Sequence, residues 1–179
     1  MADFNKFWPF VVKEESPKYV DDPRDPGGPT KYGITLVVWQ KYGYDINHDG
    51  KIDKEDVKLI SEADASKISK KEFWDFFNAD KITNQGVAEQ IVDFAWASGP
   101  YTAATKIQKI LGLPADGVFG NATLTAINSA DPKVLLEKIT KRRIDFIDAI
   151  VAQRPVFEAY KVGWKSRVNA ILIREQHSA

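Results

Sequence analysis

Apolar residues recur at Phe4, Phe7, Trp8, Val11 and Val12, a stripe of helical period that predicts a helix opening behind Asp3 as its N-cap. One further step along the stripe reaches Glu15. A carboxylate on the apolar side of a helix end costs free energy unless it is paired or protonated, which makes Glu15 a first candidate for chemistry. Pro9 interrupts the stripe and predicts a kink or a later start. The stretch SPKYVDDPRDPGGPT over 16–30 carries four prolines and two adjacent glycines, and it reads as a structured loop.

In KYGITLVVWQKYG the positions Ile34, Val37, Val38 and Tyr42 predict a helix, while the β-branched content leaves room for a small hairpin near Lys31 to Val37. After a polar loop, helices are predicted over Lys54–Glu62 and Ser69–Phe77, the second opened by the capping-box pair Ser69 and Glu72. Val87, Ile91, Phe94 and Ala95 predict a longer helix over about 84–97, stopped by Ser98-Gly99-Pro100. Further helices are expected at about 101–111 and 122–128, then from Asp131-Pro132 to about Gln153, and from Pro155 to about Arg174. No alternating run or internal repeat competes with this pattern, so the chain is predicted to be mainly α.

Composition then narrows the chemistry. A chain of 179 residues with 44% apolar content can bury a real core. The 25 Lys+Arg balance the 25 Asp+Glu, so no overall field favours nucleic acid or an anionic membrane. The absence of cysteine excludes disulfides, thiolate metal sites and a cysteine nucleophile. Two histidines, His48 and His177, leave little for a zinc centre or a Ser/His/Asp arrangement. Carboxylates and hydroxyls must carry the chemistry. No run approaches the ~18 apolar residues of a membrane span, and no cleavable leader is visible in MADFNKFWPF.

The densest candidate site joins Glu15 to Asp25 and Thr30 across the Pro/Gly loop. Glycoside cleavage needs one carboxylic acid kept protonated and a second group that orients water or stabilises a cationic sugar. Glu15 suits the acid, Asp25 the second role, and Thr30 a water-holding hydroxyl. On spacing alone the ordinary reading prevails, with Glu15 a helix-end surface carboxylate and Asp25 and Thr30 turn residues.

The residues VVKEESPKYVDDPRDPGGPTKYGIT resemble the signature of the glycoside hydrolase family 108 N-acetylmuramidases, found in phage endolysins and in bacterial proteins once described as secretion activators. Glu15, Tyr19, Asp25, Pro26, Gly27, Gly28, Thr30, Gly33 and Ile34 match it. Two family glycines are replaced by Ser16 and Pro17, with one residue inserted before Tyr19. The resemblance implies a lysozyme-like helical fold, with Glu15 as catalytic acid and Glu14 as the fallback. Asp21 or Asp22 is the alternative to Asp25.

Asp45, Asn47, Asp49, Asp53 and Asp56 occupy positions 1, 3, 5, 9 and 12 of a calcium-loop pattern, with Gly50 at the sharp turn and the Lys51 carbonyl at position 7. This predicts a structural calcium ion (Ca2+) in an inserted loop, 45–56, with His48 facing solvent. Asp at position 12 resembles dockerin repeats. A metal-free loop held by Asx turns is the alternative.

Downstream, FAWASGPYTAATKIQKILGLPADGVFGNATLTAI is similar to the peptidoglycan-binding segment that follows the catalytic part in this family, and Gly163-Trp164-x-x-Arg167 resembles its closing helix. Sugar rings have apolar faces and polar rims, so Tyr19, Tyr32, Trp96 and Ser98 are candidate substrate contacts. The expected organisation is a catalytic region over 1–95 and a peptidoglycan-binding helical region over 96–175 packed on it. The expected activity is cleavage of the β-1,4 bond between N-acetylmuramic acid and N-acetylglucosamine, causing cell-wall lysis. The expected partner is the glycan strand, cut by a monomer made in the cytoplasm and released to the wall by a holin-type route. The competing expectations are a non-catalytic peptidoglycan-binding module and a calcium-responsive interaction protein.

Overall fold

The computed structural model describes residues 1–23 and 28–178, so Asp25, with Pro26 and Gly27, lies outside the described residues. The chain divides into one unit of residues 4–72 and another of residues 1–3 with 73–179. The expectation of a mainly α chain with a small hairpin is met.

In the 4–72 unit, α1 (Phe4–Glu14) runs through Pro9 and buries Phe4, Phe7, Phe10 and Val11. The buried face is therefore turned toward Phe10, and Trp8 and Val12 sit at its margin. The Trp8 indole donates to Glu62 Oε1 at 3.2 Å. Thr30–Lys31 (β1) and Ile34–Thr35 (β2) pair antiparallel, Lys31 opposite Ile34. Helix α2 (Leu36–Tyr42) follows at once, N-capped by the Thr35 hydroxyl, which accepts from the Val38 amide.

Here the predicted helix face is corrected: Val37 is exposed, whereas Trp39 and Ile34 are buried. The hairpin takes Ile34 out of helical phase, so α2 presents a different side. Helix α3 (Lys54–Leu59) is N-capped by Asp53, with Asp56 completing a capping box. It lies against β1 and α2. A second capping box, Ser61 with Asp64, opens α4 (Glu62–Ile68).

The predicted helix start at Ser69 is a second correction. Ser69 has right-handed helical dihedrals at the end of α4, and the chain winds on into a π-helical turn over Ser69–Trp74. Ser61 provides the N-terminal cap because its own box lies one helix earlier.

In the other unit, a 3-10 turn (Ala79–Lys81) leads to α5 (Gln85–Ser98), which the Asn84 side chain caps. Every residue from Gly86 to Ala95 is buried, because α6 (Pro100–Ile110), α8 (Pro132–Gln153) and α9 (Glu158–Ser178) all pack on α5. Gly86 permits the α9 approach: a Cβ there would stand 2.9 Å from the Glu175 side chain. Helix α7 (Asn121–Ser129) and a 3-10 turn (Pro155–Phe157) complete the unit. Among the described residues no helix is long and apolar enough to cross a membrane.

A polar cluster sits inside this helical core. Asp93, fully buried, accepts from Arg143 at 2.5 Å and from Arg167 Nε and Nη2 at 2.9 and 2.7 Å. Arg143 also donates to the Gln90 side chain, whose amide nitrogen donates to the Val168 carbonyl at 2.8 Å. Burial alone would raise the Asp93 carboxyl, but the two guanidinium groups outweigh it and hold it below the ordinary carboxylate range.

Candidate active site

Helix α1 delivers Glu15. Its amide donates to the Val11 carbonyl at 2.8 Å, carrying the helical turn one residue past Glu14. Glu15 is half-buried and Glu14 exposed, the difference expected if only one of them lies on the side of the apolar stripe. At Ser16 the chain leaves the helix under two restraints. The Ser16 hydroxyl accepts from the Lys18 amide at 3.1 Å, and its carbonyl accepts from the Tyr32 amide at 3.1 Å. Ser16, which replaces a glycine of the resembled motif, thus ties the end of α1 to the hairpin tip.

Thr30 is fixed through its backbone. Its amide donates to the Val20 carbonyl at 2.8 Å and its carbonyl accepts from the Val20 amide at 2.9 Å, while Thr35 faces it across the hairpin. The segment between Glu15 and Val20 is therefore pinned at Ser16 to the hairpin turn and at Val20 to the start of β1. Sequence reasoning grouped Glu15 with Asp25 and Thr30 and named Tyr32 apart from them, and the hairpin bonds tie Tyr32 to the residue after Glu15 and Thr30 to Val20. The second-role candidate Asp25 is not among the described residues.

Tyr19 is half-buried, its hydroxyl donating to Asp21 Oδ2 at 3.2 Å and its ring lying 5.5 Å from the Lys58 ammonium. Partial burial and the Asp21 carboxylate both push its phenol up, so it remains a neutral donor at physiological pH. Lys54 reaches Asp21 at 3.9 Å, and the Lys31 ammonium donates to the Lys58 carbonyl at 2.7 Å. Helix α3 thereby holds both the loop after Glu15 and the hairpin. Nothing in the residue spacing announced this role for Lys31 and Lys58.

Trp96 and Ser98 belong to the other unit. The Trp96 ring packs on Phe73 with centroids 4.8 Å apart, and the Ser98 hydroxyl donates back to the Phe94 carbonyl at 2.7 Å. The buried Asp93 cluster was also missed. Its signal was available: Glu89 and Asp93 sit four apart inside an apolar helix, and Arg143 lies on the stripe between Ile139 and Ile147.

In the 45–56 loop the oxygens turn inward. Asp45 accepts from the amides of Asp49 and Gly50 at 3.3 and 2.8 Å, and Asn47 from that of Asp49 at 3.0 Å. Asp56, fully buried, accepts from Ile46 at 2.7 Å and from Asp53 at 2.9 Å. Gly50 turns at φ 86, and His48 is exposed, as expected. Among the described residues, no three His, Cys, Asp or Glu side chains gather into a group that could hold a metal ion.

Residues 8–99, just over half of the chain, match the model of a family described as Glycosyl hydrolase 108, and residues 102–169 match that of a predicted peptidoglycan domain. Among solved structures the chain is similar to SagA of Brucella abortus, at 30% identity over 97% of this chain and 94% of that one, with a TM-score of 0.83. No curated protein matches it.

Proposed function

The chain belongs to the glycosyl hydrolase 108 family, and from that membership we propose that it cuts the β-1,4 bond between N-acetylmuramic acid and N-acetylglucosamine with Glu15 as the acid. It is a peptidoglycan hydrolase with the mainly α, lysozyme-like fold expected from its sequence.

The observation that carries the assignment of Glu15 is its position: half-buried at the end of α1, one residue before the carbonyl that receives the hairpin-tip amide. Glu14, one residue earlier, is exposed to water and lacks that setting. In the proposed reaction the Glu15 carboxylic acid gives its proton to the glycosidic oxygen as the C1–O bond breaks. Water then attacks the oxocarbenium-like C1 and loses its proton to a base, for which Asp25 is the candidate, with Thr30 orienting the water. This route inverts the anomeric centre. Tyr19, in the same unit as Glu15, is a proposed sugar contact. Release to the wall through a holin-type route, with lysis as the outcome, completes the reading.

Borohydride reduction of the digestion products tests the bond. Muramitol at the new ends supports the proposal, and glucosaminitol in its place contradicts it. Proton NMR of the first-formed anomer tests inversion.

The 45–56 loop is proposed to take calcium as a brace. The support is the chemistry and spacing of its donors, five side-chain oxygens and one carbonyl, around a turn already formed at Gly50. Asp45, Asn47, Asp49, Asp53 and Asp56 would hold the ion with the Lys51 carbonyl, exchanging their present amide contacts for it. The ion would neutralise the loop's carboxylates and stiffen the start of α3.

A further inference from the structure

The hairpin turns in two residues, Tyr32 at φ 52 and Gly33 at φ 72. Two successive left-handed residues make the mirror-image turn whose twist suits a two-residue hairpin. Glycine and asparagine adopt this conformation readily, whereas a tyrosine is disfavoured there. The turn's own backbone bond does not account for the tyrosine. The bond from position 32 to the Ser16 carbonyl uses the backbone amide, which any residue except proline supplies. The hairpin's packing falls to Ile34, which is 1% exposed, while Tyr32 is only half-buried, with the Lys31 ammonium 5.8 Å from its ring centre.

An aromatic residue that the turn disfavours, and that is only partly covered, is thus held one hydrogen bond from the residue that follows Glu15. We infer that Tyr32 is a substrate-contacting residue whose ring stacks on the apolar face of an N-acetylhexosamine bound at Glu15, and that the hairpin gives up stability to present it. The anchored strand supports this role, because the Lys31 bond to the Lys58 carbonyl at 2.7 Å fixes the residue next to the ring. The inference rests on the assignment of the hydrolytic site to Glu15.

The test uses Tyr32→Asn and Tyr32→Phe in the full chain, each alone and combined with Glu15→Gln. Alone, Tyr32→Asn is expected to melt at or above the wild-type temperature, by about 2 °C, since asparagine suits the turn. In the Glu15→Gln background, calorimetric titration with the tetrasaccharide of alternating N-acetylglucosamine and N-acetylmuramic acid is expected to show about tenfold weaker binding for Tyr32→Asn. Tyr32→Phe, which keeps the ring, is expected to stay within about threefold.

A lower melting temperature for Tyr32→Asn would make the tyrosine structural and overturn the inference. So would unchanged affinity in Tyr32→Asn, or an equal loss in Tyr32→Phe. Reducing ends released by Glu15→Gln alone would instead overturn the acid assignment, a failure visible separately in that single variant.

Discussion

The backbone amide of Tyr32 donates to the carbonyl of Ser16 at 3.1 Å, so the tip of a two-residue hairpin holds the chain where it leaves the helix that carries Glu15. The turn that presents this amide is a left-handed pair, and Gly33 supplies half of it at φ 72. Gly33→Ala places a Cβ in the disfavoured region and should destabilise the protein by about 1–2 kcal/mol. Glycan cleavage should fall along with it. Thermal melts and reducing-end rates check the prediction, and an unchanged rate in a destabilised but folded variant would separate the turn from the site.

The Asp93 cluster predicts an asymmetry between two variants. Arg143→Met removes one guanidinium but leaves Asp93 paired with Arg167, whereas Asp93→Leu removes the carboxylate that both arginines share, one of them buried. Breaking a buried pair by deleting one partner costs about 3–5 kcal/mol. Asp93→Leu should reach that range and Arg143→Met should fall below it, as read from urea midpoints.

Acid stability should have two limbs. Burial raises the Glu89 carboxyl, against the lowering pull of Gln85 and Arg174 and with Glu175 and Asp93 adding to the rise. The folded state therefore binds this proton more tightly than the unfolded chain, and Glu89's contribution improves as pH falls through its raised value. Asp93 is shifted the other way. Its contribution is fully present above the unfolded range near ~3.9 and is lost as pH falls through its depressed value. The urea midpoint should rise modestly on mild acidification and then drop in strong acid. Glu89→Gln should flatten the first limb alone.

How much of this could be read from the residues varies with the physics behind each feature. Helices α5, α6 and α8 were legible because Asn84, Pro100, Asp131 and Pro132 mark their starts by local capping chemistry. Which side of α2 is buried was not legible, because the hairpin shifts the phase between Ile34 and Trp39. The Ser69 start failed for a related reason: a capping-box spacing satisfied on paper lay inside a continuing helical turn, where the Ser69 hydroxyl is buried without a hydrogen-bond partner. At the site, Glu15 and the hairpin residues were found from pattern and resemblance. Their connection was not, since the Tyr32–Ser16 and Lys31–Lys58 bonds involve backbone groups that every sequence possesses.

Calcium should raise the melting temperature if the 45–56 loop takes the ion. At a hundredfold excess over the dissociation constant the gain is about 2.7 kcal/mol. Asp45→Ala removes the first donor and should abolish the calcium-induced shift, whatever it does to the metal-free protein. Scanning calorimetry with calcium and with chelator checks this, and identical melts in both would refute a calcium site.

The central claim is that Glu15 protonates the leaving oxygen. Glu15→Gln and Glu14→Gln, each confirmed as folded by circular dichroism, should be incubated with purified peptidoglycan beside the wild type and assayed for new reducing ends. The account predicts release by the wild type and by Glu14→Gln, and a loss of at least about a hundredfold in Glu15→Gln, the scale of general acid catalysis. Full activity in Glu15→Gln, with loss in Glu14→Gln, would contradict it.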